Sequence, residues 1–216
     1  MIRLHHAAQT RSMRSLWLLY ELGLDFDLVT YPFGPALQTD DYRLLNPAGR
    51  VPTLEVDGNV IRESGAIAQV LCSKALDVGL GRGPGDPEWA AWLDWIHFAE
   101  TISVHVAALT QQHIILFEDK MRSPVIMKIE AKRLSRTYQT VELGLAGQDF
   151  LLPTGFSAAD IGVGQAIYMG LHFATLDGCP RVQAWYDRIT ARPAFQKALP
   201  NGGDLLYAKS FYAPWS

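Results

Sequence analysis

Cysteine is nearly missing from this 216-residue chain, with Cys72 and Cys179 the only two. Two thiols cannot staple a disulfide-rich secreted module, and they cannot supply a four-cysteine zinc site. Charge is scarce too: 19% of residues are charged, below the roughly 25% of an average globular chain. Nineteen Lys and Arg against 22 Asp and Glu leave a formal charge of −3. That balance lacks the basic stripe with which a nucleic-acid binder displaces counterions. Long apolar runs are missing as well. The longest stretch without Asp, Glu, Lys or Arg, from Thr101 to Phe117, holds two histidines and two glutamines and falls short of the about 20 apolar residues of a membrane span. The opening MIRLHHAAQTRSMR has no apolar core of signal-peptide type. What is abundant is hydrophobicity, at 49%, enough for a sizeable core and too much for a disordered chain. These features lead us to expect a soluble, cytoplasmic protein that engages neither nucleic acid nor membrane.

The first part of the chain mixes strand and helix signals. Ile2 and Leu4 alternate with polar neighbours, the period of a strand. From Ser12 to Leu22 the apolar spacing becomes helical, and Gly23 supplies a stop. Phe26 to Tyr31 reads as a second strand. A short helix over Asp40 to Leu45 halts at Asn46-Pro47. Thr53 to Val56 and Asn59 to Arg62 flank Asp57-Gly58, a strong hairpin signal. Gly65 to Leu76 is helical, giving the order βαβαββα. Residues 79–87 form a glycine-rich linker that does not match GxGxxG and follows no strand, so it is not read as a phosphate loop. Beyond it strand signals nearly vanish. Helices are expected over Glu88 to Phe117, Ser123 to Leu145, from Ser157, and over Arg181 to Arg192. The domain expectation is an α/β unit at 1–78, a linker at 79–87 and an all-helical unit at 88–216.

Some patterns are structural on their chemistry alone. Ser157 and Asp160 form an S-x-x-D capping box, with Phe156 and Ile161 placed as a hydrophobic staple. His97, His105 and His113 are eight apart, which drifts about 80° per step around a helix, so they cannot share a metal. His5 and His6 are adjacent on a strand and point to opposite faces. No metal site is expected.

Three loops converge in the α/β part. Gln9 to Ser12 joins the first strand to the first helix. Arg50-Val51-Pro52 leads into a strand; a cis bond there would expose the Val51 backbone to a peptide ligand, although only about 5–6% of X-Pro bonds are cis. Glu63-Ser64 opens a helix whose N-terminus favours an anion, with Ser64 as its expected N-cap. Together they describe a backbone edge, an anion hole and hydroxyls at two helix N-termini.

At these loops the chain resembles the cytosolic glutathione transferases. The similarity runs through TRSMRSLWLLYELGL at 10–24, NPAGRVPTLEVDG at 46–58, ESGAI at 63–67, FSAADI at 156–161 and RITARPAF at 188–195. It implies a thioredoxin-like α/β domain, an all-α C-terminal domain, a homodimer and glutathione as co-substrate, in a bacterial-type branch with a serine or threonine loop. By this resemblance Val51 and Pro52 would pair with the cysteinyl part of glutathione. Glu63 and Ser64 would hold its γ-glutamyl end, and Arg50 would help with the glycyl end. The family activates the thiol with a Tyr, Ser or Cys in the first loop. Here the candidates are Thr10, where threonine is a departure, and Ser12, which could instead cap its helix. Arg11 adds positive field in that loop.

The activity so implied is conjugation of glutathione to small electrophilic, partly apolar acceptors, with a detoxifying role. Ile102, His105 and Val106 are the expected acceptor-pocket residues. Glutathione-dependent peroxide reduction and a non-catalytic binding role on the same fold are the alternatives. Disulfide exchange lacks a protein thiol anywhere in residues 1 to 71. The tail from residue 205 carries Tyr207, Phe211, Tyr212 and Trp215, which must pack either as core of the helical part or over the acceptor pocket.

Overall fold

Four short strands, β1 (Ile2–His6), β2 (Asp27–Thr30), β3 (Thr53–Val56) and β4 (Asn59–Ile61), form one sheet in the order β2-β1-β3-β4 in the computed structural model, which describes residues 1–202, 205–207 and 209–211. β1 and β2 are parallel, with Leu4 opposite Leu28, because helix α1 (Ser12–Leu22) carries the chain back between them. β3 runs antiparallel to β1 with Leu4 opposite Leu54, and β3–β4 is the hairpin. Its turn needs positive φ at both central residues, and Asp57 and Gly58 take 50° and 79°. α1 stops where expected, at Gly23 with φ 63°. Helix α2 (Asp40–Leu45) is capped by Thr39, whose hydroxyl accepts from the Tyr42 N–H. Helix α3 (Ser64–Lys74) follows β4. Leu4, Leu54, Leu19, Ile67 and Leu71 are fully buried.

The helical part comprises α4 (Trp89–Thr110), α5 (Pro124–Gly144), α6 (Ala158–Gly170) and α7 (Pro180–Thr190). α4 does not continue to Phe117 as an α-helix; Gln111–Ile115 is a π-helical turn, closed by the Leu116 N–H on the Gln111 carbonyl at 2.9 Å. α6 starts at the capping box. Asp160, fully buried, accepts from Ser157 N–H at 2.9 Å, Leu151 N–H at 3.0 Å and the Trp185 indole N–H at 2.8 Å. So the box does more than start a helix, since the same carboxylate ties α6 to α7 and to the preceding loop. Phe156 packs edge-on to Phe150 at 5.9 Å.

After α7 the chain forms a further helix, α8 (Pro193–Ala198), where the sequence suggested one helix to Arg192. Pro193 accounts for the break, because proline cannot continue a helix but suits the first turn of the next. The compact units are Met1–Trp92 with Ala191–Leu206, and Leu93–Thr190 with Tyr207–Ser216. The α/β unit is therefore discontinuous. Within it, Phe195 meets Trp17 edge-on at 4.8 Å, and Arg192 donates two 2.7 Å bonds to the Glu21 carboxylate, which also accepts the Trp17 indole N–H.

In the helical unit, Tyr207 is buried with its hydroxyl 2.7 Å from Thr110 Oγ1, and its ring stacks on His172 at 4.8 Å. Phe211 lies 5.0 Å from His113 and 5.6 Å from Phe173, ring centre to ring centre. Burial lowers the pKa of both histidines. Tyr207 is packed as core and Phe211 is half-buried; Tyr212 and Trp215 lie outside the described residues. Thr110 donates to the Val106 carbonyl, so its oxygen is left to accept the Tyr207 proton. Tyr207→Phe should accordingly cost about 1 kcal/mol by urea denaturation, the usual value of one buried hydrogen bond. An unchanged urea midpoint would mean that water serves the Thr110 oxygen in place of the tyrosine hydroxyl.

Candidate active site

β1 ends at His6, and the chain then turns through Gln9, a buried non-glycine residue at φ 51°. That left-handed step is unfavourable for a side-chain-bearing residue. It folds Thr10 back, so that its hydroxyl donates to the Ala7 carbonyl at 2.8 Å. Ser12 Oγ, fully buried, lies 2.7 Å from Thr10 Oγ1, 2.7 Å from His6 Nδ1 and 3.1 Å from the Ala7 N–H. Burial pushes the His6 pKa down to about 4, so the ring is neutral at neutral pH.

Ser12 is not the cap of α1. It is the first helical residue; Arg11 is the N-cap and its side chain makes no capping bond, while the Ser12 N–H donates to Thr10 Oγ1 at 3.2 Å. The Ser12 hydroxyl cannot turn to its own helix because His6, Ala7 and Thr10 hold it from the other side. Thr10, half-buried, is the hydroxyl of the pair with access to solvent.

The second loop is held by groups the sequence did not single out. The Arg50 carbonyl accepts from the Tyr42 hydroxyl at 2.7 Å and from Asn46 Nδ2 at 2.8 Å, and both donors also reach Thr53 Oγ1. Gly49, at φ 59°, is pressed against Gln38 and the Leu37 carbonyl, where a Cβ would stand 2.7–2.8 Å away. Val51-Pro52 is cis. Arg50 is exposed, Val51 half-buried and Pro52 buried.

Ser64, in turn, is the first residue of α3 rather than its N-cap. That position belongs to Glu63, extended at φ −95° and ψ 125°, whose side chain does not cap the helix. Ser64 Oγ accepts from Arg14 Nη1 at 3.3 Å. Arg14 lies on the buried face of α1 and was missed in the sequence; an arginine inside the run SMRSLWLL was the available signal. An α3 N-terminus without a side-chain cap, with a buried guanidinium behind it, is electrostatically suited to a carboxylate.

Thr10, Ser12, Arg50, Val51, Pro52, Glu63 and Ser64 all belong to the α/β unit. Ile102, His105 and Val106 belong to the helical one. Ile102 and Val106 are buried there, and His105 Nδ1 is 2.7 Å from Glu130, which also binds Arg133. Cys72 is buried with its thiol pushed up to about 12, so it is inert at neutral pH. Among the described residues no helix is long and apolar enough to cross a membrane.

Residues 10–74 match the family model described as glutathione S-transferase, N-terminal domain. Glutathione S-transferase 3 of Zea mays is 30% identical over 200 residues, covering 87% of this chain and 87% of that protein. Protein LigF of a Sphingobium species is 28% identical, covering 86% and 88%. Among solved structures, a glutathione transferase of Methylococcus capsulatus superposes with a TM-score of 0.77 at 29% identity, over 92% of this chain and 97% of that one.

Proposed function

The chain belongs to the glutathione S-transferase family, and on that premise we propose that it binds glutathione in the α/β unit and transfers its thiolate to a small electrophile. The observation that carries the site assignment is the α3 N-terminus: an exposed acidic Glu63, a buried Ser64 and the Arg14 guanidinium converge where no side chain caps the helix. An α-amino acid end carries an ammonium and a carboxylate, and this arrangement offers a partner to each. The Val51 backbone serves the cysteinyl amide, Arg50 the glycyl carboxylate, and Thr10 the sulfur.

A free thiol titrates near 8.5 and is mostly protonated at neutral pH. The thiol proton leaves to solvent, and the thiolate that remains is held by the Thr10 O–H and the positive end of the α1 dipole. The reaction is then nucleophilic attack by sulfur on the acceptor. Ile102, His105 and Val106 remain the proposed acceptor-side residues, with His105 the one that is not core. The same reading makes the protein a cytoplasmic homodimer, as is usual in the family, with a detoxifying role and no resident metal.

Retention on immobilised glutathione, followed by conjugation assays with a panel of electrophiles, tests the activity; a chain that neither binds nor conjugates would overturn it. Ser64→Ala should weaken glutathione binding by about 1.5–3 kcal/mol, the range for a hydrogen bond to a charged group. Unchanged affinity by calorimetry would move the γ-glutamyl end elsewhere.

A further inference from the structure

Glu130, on α5, is a buried carboxylate with a neighbour on each oxygen. Oε2 lies 2.7 Å from Nδ1 of His105 on α4, and Oε1 accepts from the Arg133 guanidinium at 2.6 Å. Burial alone would raise the Glu130 pKa, but the hydrogen bonds and charges of His105 and Arg133 outweigh it and hold the carboxyl below its ordinary range. An ionised carboxylate can only accept, so the proton of the His105–Glu130 contact sits on Nδ1. The other ring nitrogen, Nε2, has no hydrogen-bond partner among the described residues and is not closed off from solvent.

Such a pair is a poor device for stability alone, because desolvating its charges offsets most of what their attraction returns. What it fixes is the ring: one nitrogen is anchored and the other is presented. In its doubly protonated form this imidazole gives up the Nε2 proton without breaking its bond to Glu130, and it can take the proton back. That is what an acid catalyst requires. Of the three residues proposed on the acceptor side, Ile102 and Val106 are apolar core, and His105 alone has a proton to give.

We infer that His105, oriented by Glu130, is a catalytic acid of the transfer, and that it favours acceptors whose electrophilic carbon bears an oxygen, such as epoxides. This rests on the transferase reading above. As the sulfur lone pair forms the C–S bond, the electrons of the breaking C–O bond pass to oxygen, which takes the Nε2 proton. His105 is left neutral with its proton on Nδ1. It regains one proton from solvent, which has received one from the glutathione thiol, so the proton count closes. Glu130 touches no substrate and is a positioning residue.

The test uses the full-length protein, glutathione and two acceptors of similar aromatic body, styrene oxide and benzyl chloride. The wild type should conjugate both. His105→Ala should lower kcat/KM for styrene oxide about tenfold or more beyond any loss with benzyl chloride, whose departing chloride needs no proton. Imidazole added to that variant should return part of the styrene oxide rate and none of the benzyl chloride rate. Glu130→Gln, which keeps an acceptor oxygen without the charge, should move the ratio the same way by a smaller factor. A merely structural tie between α4 and α5 would lower both rates in one proportion, and an unmoved ratio in His105→Ala would overturn the inference. If His105→Ala does not fold, the ratio in Glu130→Gln decides in the same way. A wild type inactive on styrene oxide would also overturn it, and benzyl chloride separates the two failures. Conjugation there leaves the transferase reading standing; its absence, together with no retention on immobilised glutathione, overturns that reading as well.

Discussion

Asp160→Ala is expected to be the most destabilising single substitution proposed for this chain, at about 4 kcal/mol. The carboxylate is fully buried and satisfies the Ser157 and Leu151 amides and the Trp185 indole. Alanine would leave three buried donors without partners, each at a cost of about 1–3 kcal/mol. For a chain of this size that corresponds to a fall in melting temperature on the order of 10 °C. Burial raises the Asp160 pKa, and its amide, indole and hydroxyl donors pull it back down. Asp160→Asn keeps one acceptor oxygen and should recover about half of the loss by the same bookkeeping. Urea denaturation monitored by tryptophan fluorescence checks both. A loss below about 1 kcal/mol for the alanine variant would mean that water replaces the carboxylate, which the burial of all these groups argues against.

Thr10→Ala is expected to have the largest effect on activity. Removing one preorganised donor from a developing or resting anion typically lowers turnover about 10²-fold or more. Here the expected loss is about 10²-fold in kcat/KM at pH 7, with affinity for S-methylglutathione nearly unchanged. The rate should partly return as pH rises toward the free thiol pKa, because solvent then removes the proton without help. Ser12→Ala should differ. It leaves the Ala7 N–H and the His6 ring without their partner, so it should lose about 1–3 kcal/mol of stability as well as activity. A Thr10→Ala enzyme with wild-type kcat/KM across the pH range would leave thiol activation to the backbone and the start of α1.

What could be read from the residues was whatever is encoded locally. The bounds of α1 and α2, the Gly23 stop, the Asp57-Gly58 hairpin and the capping box all depend on neighbours within a few positions, and each is found where its pattern put it. The two serines show where local reading ends. Ser12 and Ser64 carry the residue type and position of N-caps, yet both are first helical residues whose hydroxyls face other partners, His6 and Arg14. Those partners are 6 and 50 positions away, and only the tertiary fold brings Arg14 to Ser64. Asn46 reads locally as a helix stop and Tyr42 as an ordinary helical residue for the same reason; that both hold the Arg50 carbonyl across a loop depends on the tertiary fold. The membership of α8 in the α/β unit has no local signature at all.

Trp17 and Glu21 are synthesised long before their partners Phe195 and Arg192; Arg192 follows Glu21 by 171 positions. At about 5–20 residues per second, the apolar face of α1 waits on the order of ten seconds or more for its cover. During that interval the α/β unit can form its sheet and hairpin but not its complete core. Its core closes only after the whole helical part, Leu93 to Thr190, has been synthesised.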